Sequence, residues 1–153
     1  MLFKVTYSKV ITLFVSIPFI VFAGLVHPEN NSLLNYTYVL FEWEQIPDAY
    51  EYQLQASTAE DFSTPIIEIT DNTLIYIDRD NFEWATEYFW HVKPVFNNGM
   101  GSVWSETFSF STGEKRSVAE TTIFNENQIA DGLTVFGAFF NFFSAIIDRN
   151  GRE

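Results

Sequence analysis

The stretch 88–96 constrains the fold more than any other part of this sequence. Large aromatic and β-branched side chains occupy every second position, at Tyr88, Trp90 and Val92. A period of two is the spacing of a β-strand that turns one face toward a hydrophobic core. Such residues pack well on a pleated, half-buried surface. We therefore predict a core strand here, with His91 on the opposite parity as a surface residue.

Other short segments alternate in the same way, and none of them has a helical period. The predicted strands are 38–43, 50–57, 66–69, 73–77, 88–96 and 103–112. The loop at 59–63 contains Phe62, which we expect to insert into the core. Short strands separated by turn signals are typical of an antiparallel sandwich. The sequence therefore predicts an all-β fold.

Charge and composition exclude several classes of function. The chain has 153 residues, a net charge of −12, and 8 basic against 20 acidic side chains. Nucleic-acid binding is excluded because such an inventory cannot supply a basic patch. There is no cysteine, so thiolate metal sites and cysteine nucleophiles are excluded as well. His27 and His91 lie too far apart in sequence to suggest a histidine metal site, and we expect no cofactor.

Residues 1–23 match the pattern of a signal peptide. Lys4 and Lys9 give a positive start, an apolar run follows at 10–22, and Ala23 is the small residue before a cleavage site. The alternative is an uncleaved anchor, since the stretch 10–26 has 17 residues, which is the lower limit for crossing a bilayer. In either case the remainder is predicted to be exported, to the periplasm, the cell surface or the medium. Contact with a membrane is expected only through an uncleaved N-terminus.

A series of aromatic and apolar landmarks follows a recognisable order between residues 33 and 113. They are Trp43, Tyr52, Leu54, Phe82, Tyr88, Trp90, Val92, Trp104, Phe108 and Phe110. This order resembles that of a fibronectin type III domain of a bacterial exported protein, although the first strand is hard to find. The resemblance implies an immunoglobulin-like β-sandwich with these residues in its structural core. It also implies that the hydroxyl of Tyr88 ties the preceding turn, but it implies no chemistry.

The composition changes after Gly113. We predict linkers at 24–32 and 114–131, and the apolar segment 132–153 is predicted to be the truncated start of a second domain. Ser144, Asp148 and Gly151 have the spacing found at the opening of the β-propeller in bacterial arylsulfotransferase-like proteins, which this tail resembles. The resemblance implies an accessory domain of a larger enzyme whose catalytic part is absent from this chain. A short membrane-associated segment at 133–147 is the other interpretation.

No residue is predicted to be catalytic, because acidic pairs such as Glu42 with Glu44 are explained by a solvated strand face. Phe89 is predicted on the outer face, near Tyr76, Trp84 or Tyr50. There it would stack on a sugar ring or pack against a neighbouring domain, and the alternative is a contact with the linker or the first strand. We therefore predict a non-catalytic binding or spacer module of a secreted or surface-attached protein. Its expected partners are other domains of the same protein, an extracellular protein or a polysaccharide.

Overall fold

The structure, a computed structural model, describes residues 22–97, 102–116, 126–128, 130–138 and 143–153. Within these ranges the regular elements are ten β-strands and one short 3-10 helix at Glu126–Gln128. The strands are β1 (Leu25–His27), β2 (Ser32–Leu34), β3 (Val39–Trp43), β4 (Glu51–Ser57), β5 (Ile67–Asp71), β6 (Ile75–Asp78), β7 (Glu87–Val95), β8 (Phe108–Thr112), β9 (Thr134–Ala138) and β10 (Phe143–Ile147). The all-β prediction is confirmed.

Eight of these strands form two sheets that pack face to face. One sheet has the order β1-β3-β6, and the other has the order β2-β8-β7-β4-β5. Neighbouring strands are antiparallel, except that β2 runs parallel to β8. Most successive strands thus cross between two largely antiparallel sheets, as in immunoglobulin-like and fibronectin type III sandwiches. The predicted fold class is confirmed.

The core lies between the two sheets, and the side chains of β7 alternate between the core and the outer face as predicted. On β7 the inward side chains are those of Tyr88, Trp90 and Val92, and Trp90 meets Phe41 of β3 at a ring-centre distance of 5.2 Å. The landmarks that are almost fully buried are Trp43, Tyr52, Leu54, Phe82, Tyr88, Trp90, Val92 and Phe110. Phe108 is partly buried and packs against this cluster.

Two aromatic residues that were expected in the core lie on the outer face of the five-stranded sheet instead. Trp104 and Phe62 both stack against His91, whose side chain points away from the core. The alternation of side chains in β8 does not extend to Trp104, because that strand begins only at Phe108 and 102–107 has no regular structure. The prediction that Trp104 is a core residue was therefore wrong. The predicted strand over 103–112 was wrong over its first part, 103–107.

The N-terminal strands were missed by sequence analysis. The predicted linker at 24–32 contains β1 and the first residue of β2, and Leu25 pairs with Trp43. The chain passes from one sheet to the other through the cis peptide between His27 and Pro28. Strands this short carry too few positions for an alternation to be recognised. Of the predicted signal peptide the structure describes only Phe22 and Ala23, so the rest lies outside the described residues.

The C-terminal segment forms a separate two-stranded ribbon. β9 and β10 pair antiparallel, with Ala145 opposite Phe136 and Ile146 opposite Val135. A turn follows β10, closed by a hydrogen bond of 3.0 Å from the N–H of Gly151 to the carbonyl of Asp148. The turn predicted at 148–151 is present. Among the residues described, no helix is long and apolar enough to cross a membrane.

Candidate functional site

A groove lies where the C-terminal segment meets the sandwich. Its cavity volume is about 270 Å³. The sandwich contributes a run of residues that leads into β3, together with the loop before β7. The C-terminal segment contributes the start of the ribbon, β10 and the turn that follows. The lining residues are Asn35, Tyr36, Thr37, Tyr38, Trp84, Leu133, Ser144, Ala145, Ile146, Asp148, Arg152 and Glu153.

Hydrogen bonds fasten the turn after β10 to the sandwich. The hydroxyl of Tyr38 donates to Oδ2 of Asp148 at 2.9 Å, and the indole Nε1 of Trp84 donates to the main-chain oxygen of Glu153 at 3.2 Å. Nη1 of Arg152 donates to Oδ1 of Asp80 at 3.1 Å. These contacts come from side chains on both sides of the junction. The polar part of the groove is therefore held in one geometry.

Asp148 organises the turn as well as the junction. Its Oδ1 accepts hydrogen bonds from the N–H groups of Asn150 at 2.8 Å and Arg152 at 2.9 Å. Burial raises the pKa of this carboxyl, but the hydrogen bonds from Arg152, Tyr38 and Asn150 outweigh it and hold the pKa below its ordinary value. For Tyr38, burial and then the hydrogen bond to the Asp148 carboxylate raise the pKa of the phenol. Asp148 is thus a stable anion that accepts hydrogen bonds.

The groove combines exposed apolar surface with donors that lack acceptors. Tyr36 is 51% exposed, and Trp84 is half-buried. The guanidinium of Arg152 lies 5.5 Å from the ring centre of Tyr38. Its Nε and Nη2 are shielded from solvent and have no hydrogen-bond partner among the described residues. Shielded donors of this kind are costly unless something supplies an acceptor.

A second aromatic cluster occupies the outer face of the five-stranded sheet. The His91 ring lies between Phe62 and Trp104, with ring-centre distances of 3.7 Å and 3.9 Å and nearly parallel planes. Nζ of Lys93 lies 4.5 Å from the centre of the Trp104 ring. The cluster fastens the loop that carries Phe62 and the segment that carries Trp104 onto the sheet.

His91 lies on the outer face as predicted, but it is not the surface residue we expected. It is 7% exposed, and its Nε2 is 2.9 Å from Oε1 of Gln55. Burial, and then the charge of Lys93, lower the pKa of His91 to about 4. The imidazole is therefore neutral near pH 7, and it is enclosed by two rings. Such a ring is placed for packing rather than for proton transfer to a ligand.

The aromatic group that we expected around Phe89 does not form. Phe89 is partly buried on β7 and pairs with Ser109 of β8, whereas Tyr76 lies on β6 in the other sheet. Of the expected companions, Trp84 lines the groove. No group of three or more His, Asp or Glu residues suited to a metal ion occurs in the described ranges.

Sequence analysis did not find the groove. Tyr38 and Asp148 are 110 residues apart, and the segments that carry them were predicted to belong to different domains. Periodicity places residues on faces of one element, but it does not show which loops meet. The one sequence signal at the groove was the Asp148–Gly151 turn, which was noted because it resembles the opening of a β-propeller.

Solved structures that are similar to this chain include an enzyme and a fibronectin type III domain. No protein-family model and no curated protein matches the sequence. An α-L-rhamnosidase from Streptomyces avermitilis, complexed with L-rhamnose, is similar at 17% identity with a TM-score of 0.43, over 60% of this chain and 10% of that enzyme. A fibronectin type III domain derived from a human protein is similar at 16% identity with a TM-score of 0.43, over 72% of this chain and 81% of that domain. The chain spans a tenth of the length of the rhamnosidase.

Proposed function

We propose that this chain is a non-catalytic binding module of an exported bacterial protein, and that the groove at the junction receives the ligand. The groove itself supports this proposal. Small-molecule sites are concave and mostly apolar, with a few polar groups that fix orientation. Here Tyr36 and Trp84 supply aromatic surface, while the side chains of Asn35 and Ser144 supply hydrogen-bonding groups at the lining.

The chemistry of the groove favours binding over catalysis. A general acid or base works best when its pKa lies near the working pH. The pKa of Asp148 is held below its ordinary value, and its carboxylate already accepts hydrogen bonds from Tyr38 and Arg152. The guanidinium of Arg152 is in turn paired with Asp80. These groups are well suited to orient a ligand and poorly suited to exchange protons with it.

Export is the second part of the proposal and rests on the N-terminal sequence pattern. Positive, apolar and small residues follow one another over residues 1–23. In the exported protein the partners would be a polysaccharide, an extracellular protein or another domain of the same protein. The net charge of −12 would keep such a module soluble.

Co-sedimentation with purified bacterial cell envelope tests the proposal, with two tyrosine variants as a matched pair. Tyr36 is 51% exposed and lines the groove, whereas Tyr50 is 56% exposed and does not. Tyr36→Ala should weaken binding by about tenfold, the equivalent of about 1.4 kcal/mol, and Tyr50→Ala should leave it unchanged. Equal binding by the two variants, or no binding by the unaltered chain, would refute the proposal.

We infer a second candidate function from the ribbon: this chain is an accessory domain of a larger β-propeller enzyme, of the arylsulfotransferase-like kind. Val135 is 64% exposed and lies opposite Ile146, which is 49% exposed, so apolar side chains share one open face. A two-stranded ribbon is marginal by itself, and further strands paired at the edge of β9 would stabilise it. In a longer protein, amide hydrogen exchange in β9 should then slow by at least tenfold. Unchanged exchange would contradict this candidate.

A further inference from the structure

We propose that the open edge of β6 pairs with the same edge of a second copy of this chain, so that the three-stranded sheets of the two copies join. This surface is separate from the groove, and the inference goes beyond the proposed function. The juxtaposition that carries it is a pair of exposed isoleucines, Ile75 and Ile77, on an edge strand whose outward main-chain groups face no other described strand.

The direction of these main-chain groups follows from the pairing of β6 with β3. The N–H of Trp43 donates to the carbonyl of Leu74 at 3.2 Å. In an antiparallel pair, the main-chain groups of successive residues point alternately toward the neighbouring strand and away from it. The groups of Tyr76 therefore face β3, whereas those of Ile75 and Ile77 face the open edge.

The hydroxyl of Thr73 supports this direction. It donates to the carbonyl of Ile75 at 2.8 Å, in an exposed setting. The N–H groups of Ile75 and Ile77 and the carbonyl of Ile77 point to the same side, where no described strand pairs with them. Such a row of main-chain donors and acceptors is a template on which another strand can pair.

The apolar character of this edge is specific to β6 among the edges of the sandwich. Proteins protect sheet edges with very short strands and with charged side chains. β1 and β2 have three residues each, and the exposed side chains of the edge strand β5 are Glu68 and Thr70. On β6 the exposed side chains are Ile75 at 51% and Ile77 at 50%, and Leu40 of β3 lies opposite Ile77.

A second copy fits this edge because the edge is self-complementary. Antiparallel pairing about a two-fold axis at Tyr76 places Ile75 opposite Ile77 of the second copy. Each outward N–H then meets a carbonyl of the other copy, and the carbonyl oxygen of Ile75 has a second lone pair beside its bond to Thr73. The isoleucines of both copies and Leu40 would form one continuous apolar face.

Charges at the two ends of β6 favour this antiparallel arrangement. Asp71 ends β5 just before β6, and Arg79 follows β6 directly and is exposed. Antiparallel pairing brings Arg79 toward Asp71 of the second copy. The ion pairs printed by the described residues use Lys115, Arg149 and Arg152, which leaves Arg79 for this contact. The net charge of −12 opposes association, but salt screens charges that lie further apart than about 8 Å.

The short edge makes the expected dimer weak. β6 has four residues, so the interface falls below the roughly 1,200–2,000 Å² that stable complexes bury. We therefore expect a Kd on the order of 0.1 mM. Such an interface would be occupied where copies are crowded or tethered on one surface.

Amide hydrogen exchange, measured by NMR at about 20 μM and about 1 mM of the full chain, tests the inference. With the expected Kd, about four-fifths of the chain is dimeric at the higher concentration. Exchange at Ile75 and Ile77 should then slow about fourfold, because their N–H groups become bonded. The N–H of Tyr76 faces β3 in the monomer, so its exchange should not depend on concentration and serves as the internal control.

Two lysine variants with the same change of charge supply the matched comparison. Ile77→Lys places a charge on the open edge of β6, whereas Leu33→Lys places one on β2, where Leu33 is 65% exposed. Ile77→Lys should abolish the concentration dependence at Ile75, and Leu33→Lys should keep it. Protection of the Tyr76 amide shows that each variant is folded.

The inference is overturned if exchange at Ile75 and Ile77 is independent of concentration in the unaltered chain. Fast exchange at both concentrations would mean an open edge, and slow exchange at both would mean that another segment of the same chain covers it. It is also overturned if the two lysine variants behave alike while both are folded. If Ile77→Lys does not fold, the unaltered chain decides the question by itself.

Discussion

Replacement of Tyr88 by phenylalanine isolates one hydrogen bond that the fold uses. The hydroxyl of Tyr88 accepts a bond of 2.8 Å from the N–H of Glu83, and this ties the turn before β7 to the strand. The ring is 1% exposed and packs edge-to-face on Phe82 at 4.8 Å. Phenylalanine keeps that packing, so the substitution removes the hydroxyl and little else.

The expected loss follows from the net value of such a bond. An intramolecular hydrogen bond contributes about 0.5–1.5 kcal/mol, and more when its loss leaves a buried partner unsatisfied. Glu83 has an exposed side chain, so water can reach near its N–H, and we expect about 1 kcal/mol. In a domain of this size, 1 kcal/mol corresponds to a fall of roughly 4–8 °C in Tm. Urea melts followed by circular dichroism would measure the free energy of unfolding.

Two further tyrosines make the experiment a comparison. The hydroxyl of Tyr52 accepts a bond of 2.7 Å from the N–H of Ile46 in a buried setting, so Tyr52→Phe should cost at least as much as Tyr88→Phe. Tyr50 is 56% exposed, and Tyr50→Phe should cost nothing measurable. If Tyr88→Phe were as stable as Tyr50→Phe, the assignment of Tyr88 as the residue that ties this turn would be wrong.

Two other changes test the sheet faces. Trp43→Ala removes a core side chain that is 2% exposed and should cost about 3–5 kcal/mol, whereas Trp104→Ala removes a ring stack and a cation–π contact and should cost about 1–2.5 kcal/mol in the same melts. If both variants lost the same free energy of unfolding, Trp104 would have to be a core residue. Because the fold lowers the pKa of His91 from 6.5 to about 4, it disfavours the protonated ring. His91 therefore has little effect on the free energy of unfolding above pH 6.5. It lowers that free energy by about 3 kcal/mol as the pH falls from 6.5 to 4. His91→Gln should flatten this part of the pH profile, and identical profiles would contradict the assigned pKa.

Sequence periodicity predicted the strands and the inner faces because both depend on short-range order. The alternation of Tyr88, Trp90 and Val92 is visible within β7 and requires no knowledge of its neighbours. The same reasoning misplaced Trp104, because it extended the parity of β8 into 102–107, where the chain is irregular. It also overlooked β1, whose three residues are too few to show a period.

Sequence periodicity could not predict the groove, and the physical reason is different. Its polar contacts join residues that are distant in sequence: Asp148 follows Tyr38 by 110 positions, and Arg152 follows Asp80 by 72. Nothing in either local sequence specifies the other partner. Arg152 could be recognised as a groove residue only after the turn at 148–151 had been placed against the sandwich.

The central claim is that the C-terminal segment packs on the sandwich and so forms the groove. Nuclear Overhauser contacts between the Tyr38 ring and the Arg152 side chain measure this directly, because the guanidinium lies 5.5 Å from the ring centre. We predict that these contacts are observed, together with contacts between the Trp84 indole and Glu153. If they are missing while 143–153 tumbles independently of the sandwich, the groove does not exist in solution.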